Sequence, residues 1–465
     1  MTAQLAAWTY GAAVAAALGY FLLGIPVQLT ETFGNMLKLD ATWRELLVAE
    51  FTQQAYLRPL LFAQLKLVYD ASGGEYFAWF RGVHVVQAGL LVALYVHLVQ
   101  PRTWRDAATL PIGLSVLVGM HTFTGTVREA FPINTFLTIV LCCFAAAALV
   151  LARYRWWNDV MAVLLVVVAT LTVETGLLAA VIIVCGVMVG ARGVSRVGAV
   201  LTVVVVAAYV VLRLYAFDIG SPGLTERASG YGLRILDTSE LVERFGENPW
   251  PFYAYNVVTS VLSVLLSEPR SGVFRLIASL MEEPRPALIV NVIASIAATM
   301  AIAWYVWNRR RAWMTWQLDR DDRLLLLFIA VLLANAVISY PYTKDAIMSP
   351  AGAFYALAVF VAFRRLVHAD VARPVAAGLV ATWCLVAGTA WAIRSTGTHL
   401  DLRQAGFEVR NEWAYADQWF ERNRSPVEGP RATTLLRVLR DDAIVRHPGK
   451  AELPATRSPL MEIGN

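Results

Sequence analysis

The sequence predicts an all-α polytopic membrane protein of about eleven transmembrane helices, with long non-cytoplasmic loops and a small outer C-terminal tail. Three observations carry this prediction. The 465-residue chain is 58% hydrophobic and only 16% charged, which is typical of multi-spanning membrane proteins. Several windows of about 17–25 residues, the length that crosses a bilayer core, are nearly free of Asp and Glu. Runs this apolar must satisfy their backbone hydrogen bonds internally, so we expect helices.

The apolar runs define the predicted spans, and no internal repeat or low-complexity segment interrupts them. The first run has no basic segment before it, and its end, GIPVQ, is a poor match to a signal-peptide cleavage site. We therefore expect a retained transmembrane helix there. The spans are Leu5–Ile25, Tyr76–Val99, Ala108–Phe123, Asn134–Ala152, Val160–Val173, Thr175–Gly190, Val197–Phe217, Ala287–Trp307, Leu324–Tyr340, Pro350–Leu366 and Pro374–Ile393.

Arginines in the short loops predict the orientation of the chain in the membrane. They also explain the net charge of +5, which therefore does not indicate a nucleic-acid partner. One set of alternate loops carries fourteen arginines, whereas the short loops of the opposite side offer only Arg128 and Lys344. The positive-inside rule makes the first set cytoplasmic. The amino terminus is then inside and the carboxyl terminus outside. The fourteen are Arg102, Arg105, Arg153, Arg155, Arg192, Arg196, Arg309, Arg310, Arg311, Arg320, Arg323, Arg364, Arg365 and Arg373.

This orientation places the long polar segments on the non-cytoplasmic face. We divide the chain into a transmembrane module, residues 1–394, and an outer tail or small domain, residues 395–465. The module contains a first outer loop at 26–75 and another at 218–286.

Both outer loops have features beyond a simple connection. The first is longer than two neighbouring helices need, which indicates a lid or wall of a site. The other contains two amphipathic pieces, Val257–Leu266 and Val273–Met281, that are too short to span. We expect them to be interfacial or re-entrant.

Charged residues converge on the outer ends of several spans. Carboxylates occur there together with Arg and Lys. This mixture suits the transfer of a group away from a phosphate, because cations hold the leaving phosphate and a carboxylate takes the proton of the attacking hydroxyl. No nucleotide pool exists outside the cytoplasm, so the activated donor is expected on a lipid carrier. The polar residues at these ends are Glu31, Asp40, His121, Arg128, Glu129, Glu174, Arg227, Arg234, Tyr340, Tyr342, Lys344 and Asp345.

Three short motifs resemble those of one enzyme family. A first span, followed by an outer loop that starts with an acid and ends in Tyr56-Leu57-Arg58-Pro59-Leu60, resembles the GT-C superfamily of membrane glycosyltransferases. The likeness is to the YRPL-motif branch related to protein O-mannosyltransferases and aminoarabinose transferases, with one residue inserted here. Phe80-Arg81-Gly82-Val83-His84 is similar to the start of the family's second helix. Val173-Glu174-Thr175-Gly176-Leu177 is similar to its K-E-T segment, with valine replacing the basic residue.

The resemblance covers roughly residues 1–190 and implies an inverting transfer from a polyprenyl-phosphate-linked sugar. The family's base is usually an aspartate near the end of the first helix. Glu31 matches that position best, and Asp40 is the second candidate. We expect Arg58, Lys344 and Arg128 to bind the donor phosphate. Expected in the same cavity are Tyr56, His121, Glu129, Glu174 and Tyr342.

The sequence leaves the cofactor and the acceptor open. Its four cysteines and six histidines show no metal or redox spacing, although the resemblance allows a divalent metal. The acceptor is a glycan, a lipid or a protein, other membrane lipids are contacts, and no nucleic acid is expected. The expected location is the bacterial cytoplasmic membrane.

Two alternatives stay open beside the glycosyltransferase. A membrane transporter or lipid flippase would bury charges in mid-span and break its helices in paired halves. A polymerase or ligase of lipid-linked polysaccharide would rely on loop arginines without an acid at the first helix end. The spans here are mostly uninterrupted Val, Leu and Ala with polar residues at their outer ends, which favours the glycosyltransferase.

Overall fold

The computed structural model describes residues 2–52, 57–128, 135–216, 238–246, 249–268, 286–340, 345–369, 374–416 and 429–446. Within these ranges every regular element is helical, so the all-α prediction is confirmed there. The α-helices are α1 Ala3–Leu22, α2 Thr30–Lys38, α3 Trp43–Thr52, α4 Pro59–Ser72, α5 Tyr76–Val99, α6 Trp104–Gly119, α7 His121–Arg128, α8 Thr135–Leu151, α9 Trp156–Thr172, α10 Leu177–Met188, α11 Arg196–Val211, α12 Thr238–Phe245, α13 Trp250–Leu265, α14 Pro286–Met314, α15 Arg320–Ile338, α16 Ser349–His368, α17 Pro374–Ala414 and α18 Pro430–Arg446. Short 3-10 turns occupy Glu174–Gly176 and Asp345–Met348, and a π turn, Leu212–Ala216, extends α11.

Within the described residues the predicted apolar runs are mostly helical, and the run Tyr76–Val99 agrees with α5 residue for residue. By length and composition, 6 helices of the described chain can cross a bilayer, or 7 if α6 and α7 form one bent span. Helices α8 and α9 and the segment Glu174–Met188 are apolar but shorter. The 6 are Ala3–Leu22, Tyr76–Val99, Arg196–Tyr215, Pro286–Met314, Asp345–His368 and Ala377–Ala414.

Two differences from the predicted boundaries change the architecture. The run Ala108–Phe123 is not one straight helix, because α6 and α7 meet at Met120 with a bend of 63°. Gly119 lies against α17 at this bend, and a Cβ on it would be 2.9 Å from the backbone nitrogen of Ser395. Helix α17 has 41 residues, about 60 Å, twice the thickness of a bilayer core. The boundary predicted after residue 394 lies inside this continuous helix.

The centre of the bundle is α16, which is buried along almost its whole length. It packs against α6, α8, α14 and α15. Small side chains such as Ala351, Ala356 and Ala358 allow close approach of the backbones, as is usual between helices in a membrane. The other helices surround this buried one, and their polar residues meet at the two ends of the bundle.

One end, called here the arginine-rich end, contains those of the orientation-predicting arginines that the structure describes, all except Arg373. Arg320 donates to the carbonyl oxygens of Leu98 at 3.0 Å and Leu151 at 3.2 Å, and Arg364 donates to that of Val99 at 2.7 Å. Carbonyls at a helix C-terminus have no partner within their own helix and favour a cation. These arginines therefore close the ends of α5 and α8, whichever side of a membrane they face.

The opposite end, called here the loop end, carries the short helices α2, α3 and α4 between α1 and α5. The amphipathic piece Val257–Leu266 belongs to α13, which packs against α15 and α16. The face that α13 buries combines Phe252 and Val264 with polar residues such as Asn256, Ser260 and Ser263. The piece Val273–Met281 lies outside the described residues.

Candidate functional site

The Y-x-R-P-L element leads directly into α4. Leu57 is buried, and Pro59 is the first residue of the helix, where the missing N–H of proline costs no hydrogen bond. Arg58 stands between them with its side chain 28% exposed. The element therefore presents its arginine at the start of a helix; Tyr56 lies outside the described residues.

Glu174 lies in the tight turn that joins α9 to α10. Gly176 permits this turn, because a Cβ there would lie 2.1 Å from the backbone carbonyl of Ala169. The turn adjoins α4, since Gln64 Nε2 donates to Thr172 Oγ1 at 3.1 Å. The V-E-T-G-L segment thus brings its acid beside the arginine of the first loop.

The resulting Arg58–Glu174–Arg213 cluster joins three distant parts of the chain. Arg58 donates from Nη2 and Nε to Glu174 Oε2, at 2.6 and 3.0 Å. Arg213, in the π turn after α11, donates from Nη1 to Glu174 Oε1 at 3.2 Å and to the Tyr209 hydroxyl at 3.3 Å. Two guanidinium groups share one carboxylate, and all three side chains keep some solvent exposure. An anion can therefore approach these cations.

The protonation state of Glu174 follows from its neighbours. Burial alone would raise the pKa of this carboxyl, because burial disfavours the charged form. The guanidinium groups of Arg58 and Arg213 outweigh burial and hold the pKa of Glu174 below its ordinary value. Glu174 is therefore ionised at neutral pH and is a weak base, and its hydrogen bonds orient the two arginines.

Glu31 is the second residue of α2, and its side chain lies outside the described residues. The backbone that leads to it is firmly held. Arg81, wholly buried at the start of α5, donates to the carbonyl oxygens of Ile25 at 2.7 Å and Pro26 at 2.9 Å. The indole of Trp413 donates to Val27 at 2.6 Å. The arginine of the F-R-G-V-H segment thus anchors the beginning of the first loop, a role the sequence did not reveal.

Asp40 belongs to a different part of the loop end. It accepts a hydrogen bond from the Tyr69 hydroxyl at 2.8 Å, and Tyr69 stacks on Tyr76 with ring centroids 5.1 Å apart. Burial and the bonds to Tyr76 and Asp40 raise the pKa of the Tyr69 phenol. Tyr69 lies roughly 16 Å beyond Arg58 along α4. Asp40 therefore lines a separate cleft of about 520 Å³, shared with Arg431 of α18.

The remaining described candidates make other contacts. Arg128, at the end of α7, forms an ion pair with Glu408 of α17. His121 is buried at the start of α7, with Nε2 3.8 Å from the Asp345 carboxylate. Neither contacts the Arg58–Glu174–Arg213 cluster through a described interaction. Candidates outside the described residues are Tyr56, Glu129, Tyr342 and Lys344.

Sequence reasoning missed Arg213, the second cation of the cluster. A signal was available, because Arg213 is a cation near the outer end of the predicted span Val197–Phe217. That side of the membrane carries few cations, and the same argument selected Lys344. Within the described chain, no group of three or more His, Cys, Asp and Glu side chains could hold a metal ion. In comparisons with known proteins, no family model, no curated protein and no solved structure matches this chain.

Proposed function

We propose that this protein is an integral membrane glycosyltransferase of GT-C type, which transfers a hexosyl or pentosyl group from a polyprenyl-phosphate donor to an acceptor hydroxyl with inversion. One observation carries the proposal. Arg58 and Glu174 come from two separate motifs of the resemblance, 116 residues apart, yet they form an ion pair of 2.6 Å. Arg213 adds a second guanidinium, and paired guanidiniums suit a phosphate.

In the proposed reaction, the acceptor oxygen forms a bond to the anomeric carbon while the bond from that carbon to the donor phosphate oxygen breaks. The proton of the acceptor goes to a carboxylate, and polyprenyl phosphate leaves with an additional negative charge. Arg58 and Arg213 stabilise that charge as it develops, which lowers the barrier because fixed cations need no reorganisation. Glu174 keeps both guanidinium groups in position.

We place the loop end on the outer face of the bacterial cytoplasmic membrane, with eleven crossings and a cytoplasmic amino terminus. The fourteen arginines that the sequence assigns to the cytoplasmic loops support this placement. A donor carried by a lipid then reaches the site within the membrane plane.

Glu31 is the proposed general base. Replacing it with glutamine removes the proton acceptor, so we expect transfer from polyprenyl-phosphate sugar to fall by about 10²-fold or more in membranes containing the variant. Glu31→Asp keeps a carboxylate and should retain more activity. The control is Glu75→Gln, at an exposed acid that immediately precedes α5, which should leave transfer unchanged. Full transfer by Glu31→Gln would remove Glu31 as the base and favour a polymerase or ligase that needs no such acid.

A second candidate, a transporter or flippase, is favoured by a different observation. The α6–α7 bend and the buried pair Arg394 and Glu268, with Nη1 and Oε1 4.0 Å apart, are features of a transport path. Arg394, however, also donates to the carbonyl oxygens of Gly119 at 3.3 Å and Ser267 at 2.6 Å. It therefore satisfies carbonyl oxygens at the end of α6 and just after α13, and the glycosyltransferase stays the preferred proposal. Consumption of polyprenyl-phosphate sugar by the purified protein distinguishes the two.

A further inference from the structure

A groove distinct from the Arg58–Glu174–Arg213 cluster separates the end of α1 from the C-terminal half of α17. It has a volume of about 340 Å³. Its rim is open to the side, because Tyr20 is 75% exposed and Leu23 is 48% exposed. The residues that line this α1–α17 groove are Tyr20, Phe21, Leu23, Gly24, Arg403 and Phe407.

The groove lies where lipid headgroups begin. Helix α1 has 20 residues, about 30 Å, so its last turn reaches the limit of a hydrocarbon core. Arg403 lies roughly 44 Å along α17 from Pro374, about the thickness of a bilayer with its headgroups. The two helices are in register, because the ring of His399 contacts that of Phe21 with centroids 5.2 Å apart.

The lining combines one cation with an apolar floor. Arg403 is exposed on α17, while Phe21, Leu23 and Phe407 supply hydrocarbon and aromatic surface. The neighbouring acids on α17 point away from Arg403 or have another partner: Asp401 is two residues away, a spacing at which side chains on a helix do not face each other, and Glu408 pairs with Arg128. A guanidinium binds a phosphate through two parallel hydrogen bonds, and an apolar floor beside it suits an acyl chain.

We propose that the α1–α17 groove binds one anionic membrane phospholipid. Arg403 holds the phosphate, the Tyr20 hydroxyl lies at the interface, and Phe21, Leu23 and Phe407 contact the chain. Basic pockets between transmembrane helices are a recurrent form of headgroup recognition. This site goes beyond the proposed function, because it requires no sugar donor and takes a bulk lipid.

The test uses the full chain in nanodiscs of equal parts phosphatidylglycerol and phosphatidylcholine, with retained lipid counted by native mass spectrometry. Wild type should retain phosphatidylglycerol preferentially. Arg403→Gln should retain about fivefold less, the equivalent of roughly 1 kcal/mol per cation near an anionic surface. Arg403→Lys should keep most of the binding. The control, Arg437→Gln, removes the same charge from an exposed position on α18 and should change nothing.

A second variant changes the α1 side of the groove and leaves Arg403 in place. Leu23→Glu places a negative charge at an exposed position in the groove and should also reduce retention of phosphatidylglycerol. Unchanged retention in both groove variants, equal loss in Arg437→Gln, or equal retention of phosphatidylcholine by wild type would overturn the proposal. Thermal unfolding of each variant separates loss of the site from loss of the fold.

Discussion

Each end of the bundle holds a carboxylate bound to arginine, but the two carboxylates have opposite surroundings. Asp322, at the arginine-rich end, is wholly buried. It accepts hydrogen bonds from the Tyr305 hydroxyl at 2.9 Å, the Trp313 indole at 2.8 Å and Arg309 Nε at 3.0 Å. Glu174, at the loop end, serves two arginines and remains 19% exposed.

The difference separates a structural connection from a candidate binding site. Asp322 also accepts from the backbone N–H of Asp319 at 3.0 Å and so closes the start of α15. Its acceptor capacity is used within the protein, where it joins α14 to α15. At Glu174 two partly exposed guanidinium groups share one carboxylate. A carboxylate that is wholly buried among its donors stabilises the fold, whereas guanidinium groups that stay accessible to solvent can bind a phosphate.

The largest expected effect is a loss of stability on replacing Asp322, the buried carboxylate. Asp322→Asn removes the negative charge and leaves the Arg309 guanidinium beside a neutral amide, with Asp319 Oδ2, 3.1 Å from Nη2, as its remaining carboxylate partner. We expect the free energy of unfolding to fall by about 3 kcal/mol, the lower end of the usual cost of breaking a buried ion pair, because Asp319 still compensates the cation. Unfolding in detergent measures this, and donor consumption per folded molecule should stay at the wild-type level. Asp441→Asn, at an exposed position on α18, is the control. A loss no larger than that of the control would contradict the structural role.

A smaller and pH-dependent effect is expected at the loop end. Glu174→Gln leaves Arg58 and Arg213 without their shared anion and should cost about 1–3 kcal/mol at neutral pH. Since the pKa of Glu174 is lowered in the folded protein, its ionised form stabilises the fold above the unfolded pKa. This stabilisation is lost as the pH falls through the folded pKa. The difference in melting temperature between wild type and variant should therefore narrow on acidification; a constant difference would show that the charge of Glu174 does not contribute.

The helices were largely predictable, because long apolar runs have only one way to satisfy their backbone. The apolar run Tyr76–Val99 predicted both the first and the last residue of α5 correctly. The break at Met120 was not predictable, because it depends on the close packing of Gly119 against α17, far away in sequence. The continuation of α17 to Ala414 was also missed, because the polar residues after 394 suggested the end of a span. A helix can continue beyond the membrane without apolar residues.

Only those residues of the candidate site that belong to the sequence motifs could be predicted. Arg58 and Glu174 were selected from short segments, and the structure places them in contact. Their contact with Arg213 depends on how α11 packs beside α9 and α10, which no local pattern encodes. The separation of Asp40 from Arg58 follows from the length of α4, and the pairing of Arg128 with Glu408 depends on α17.

The most direct test of the central claim is the binding of a short-chain prenyl phosphate to the purified protein, measured by isothermal titration calorimetry. The corresponding prenyl alcohol serves as the control ligand, because it lacks the phosphate. We expect saturable binding of the phosphate by wild type, no binding of the alcohol, and affinity about tenfold weaker or worse in Arg58→Gln, as expected from the loss of a charged hydrogen bond. Equal affinity in wild type and Arg58→Gln, or equal binding of phosphate and alcohol, would contradict the account.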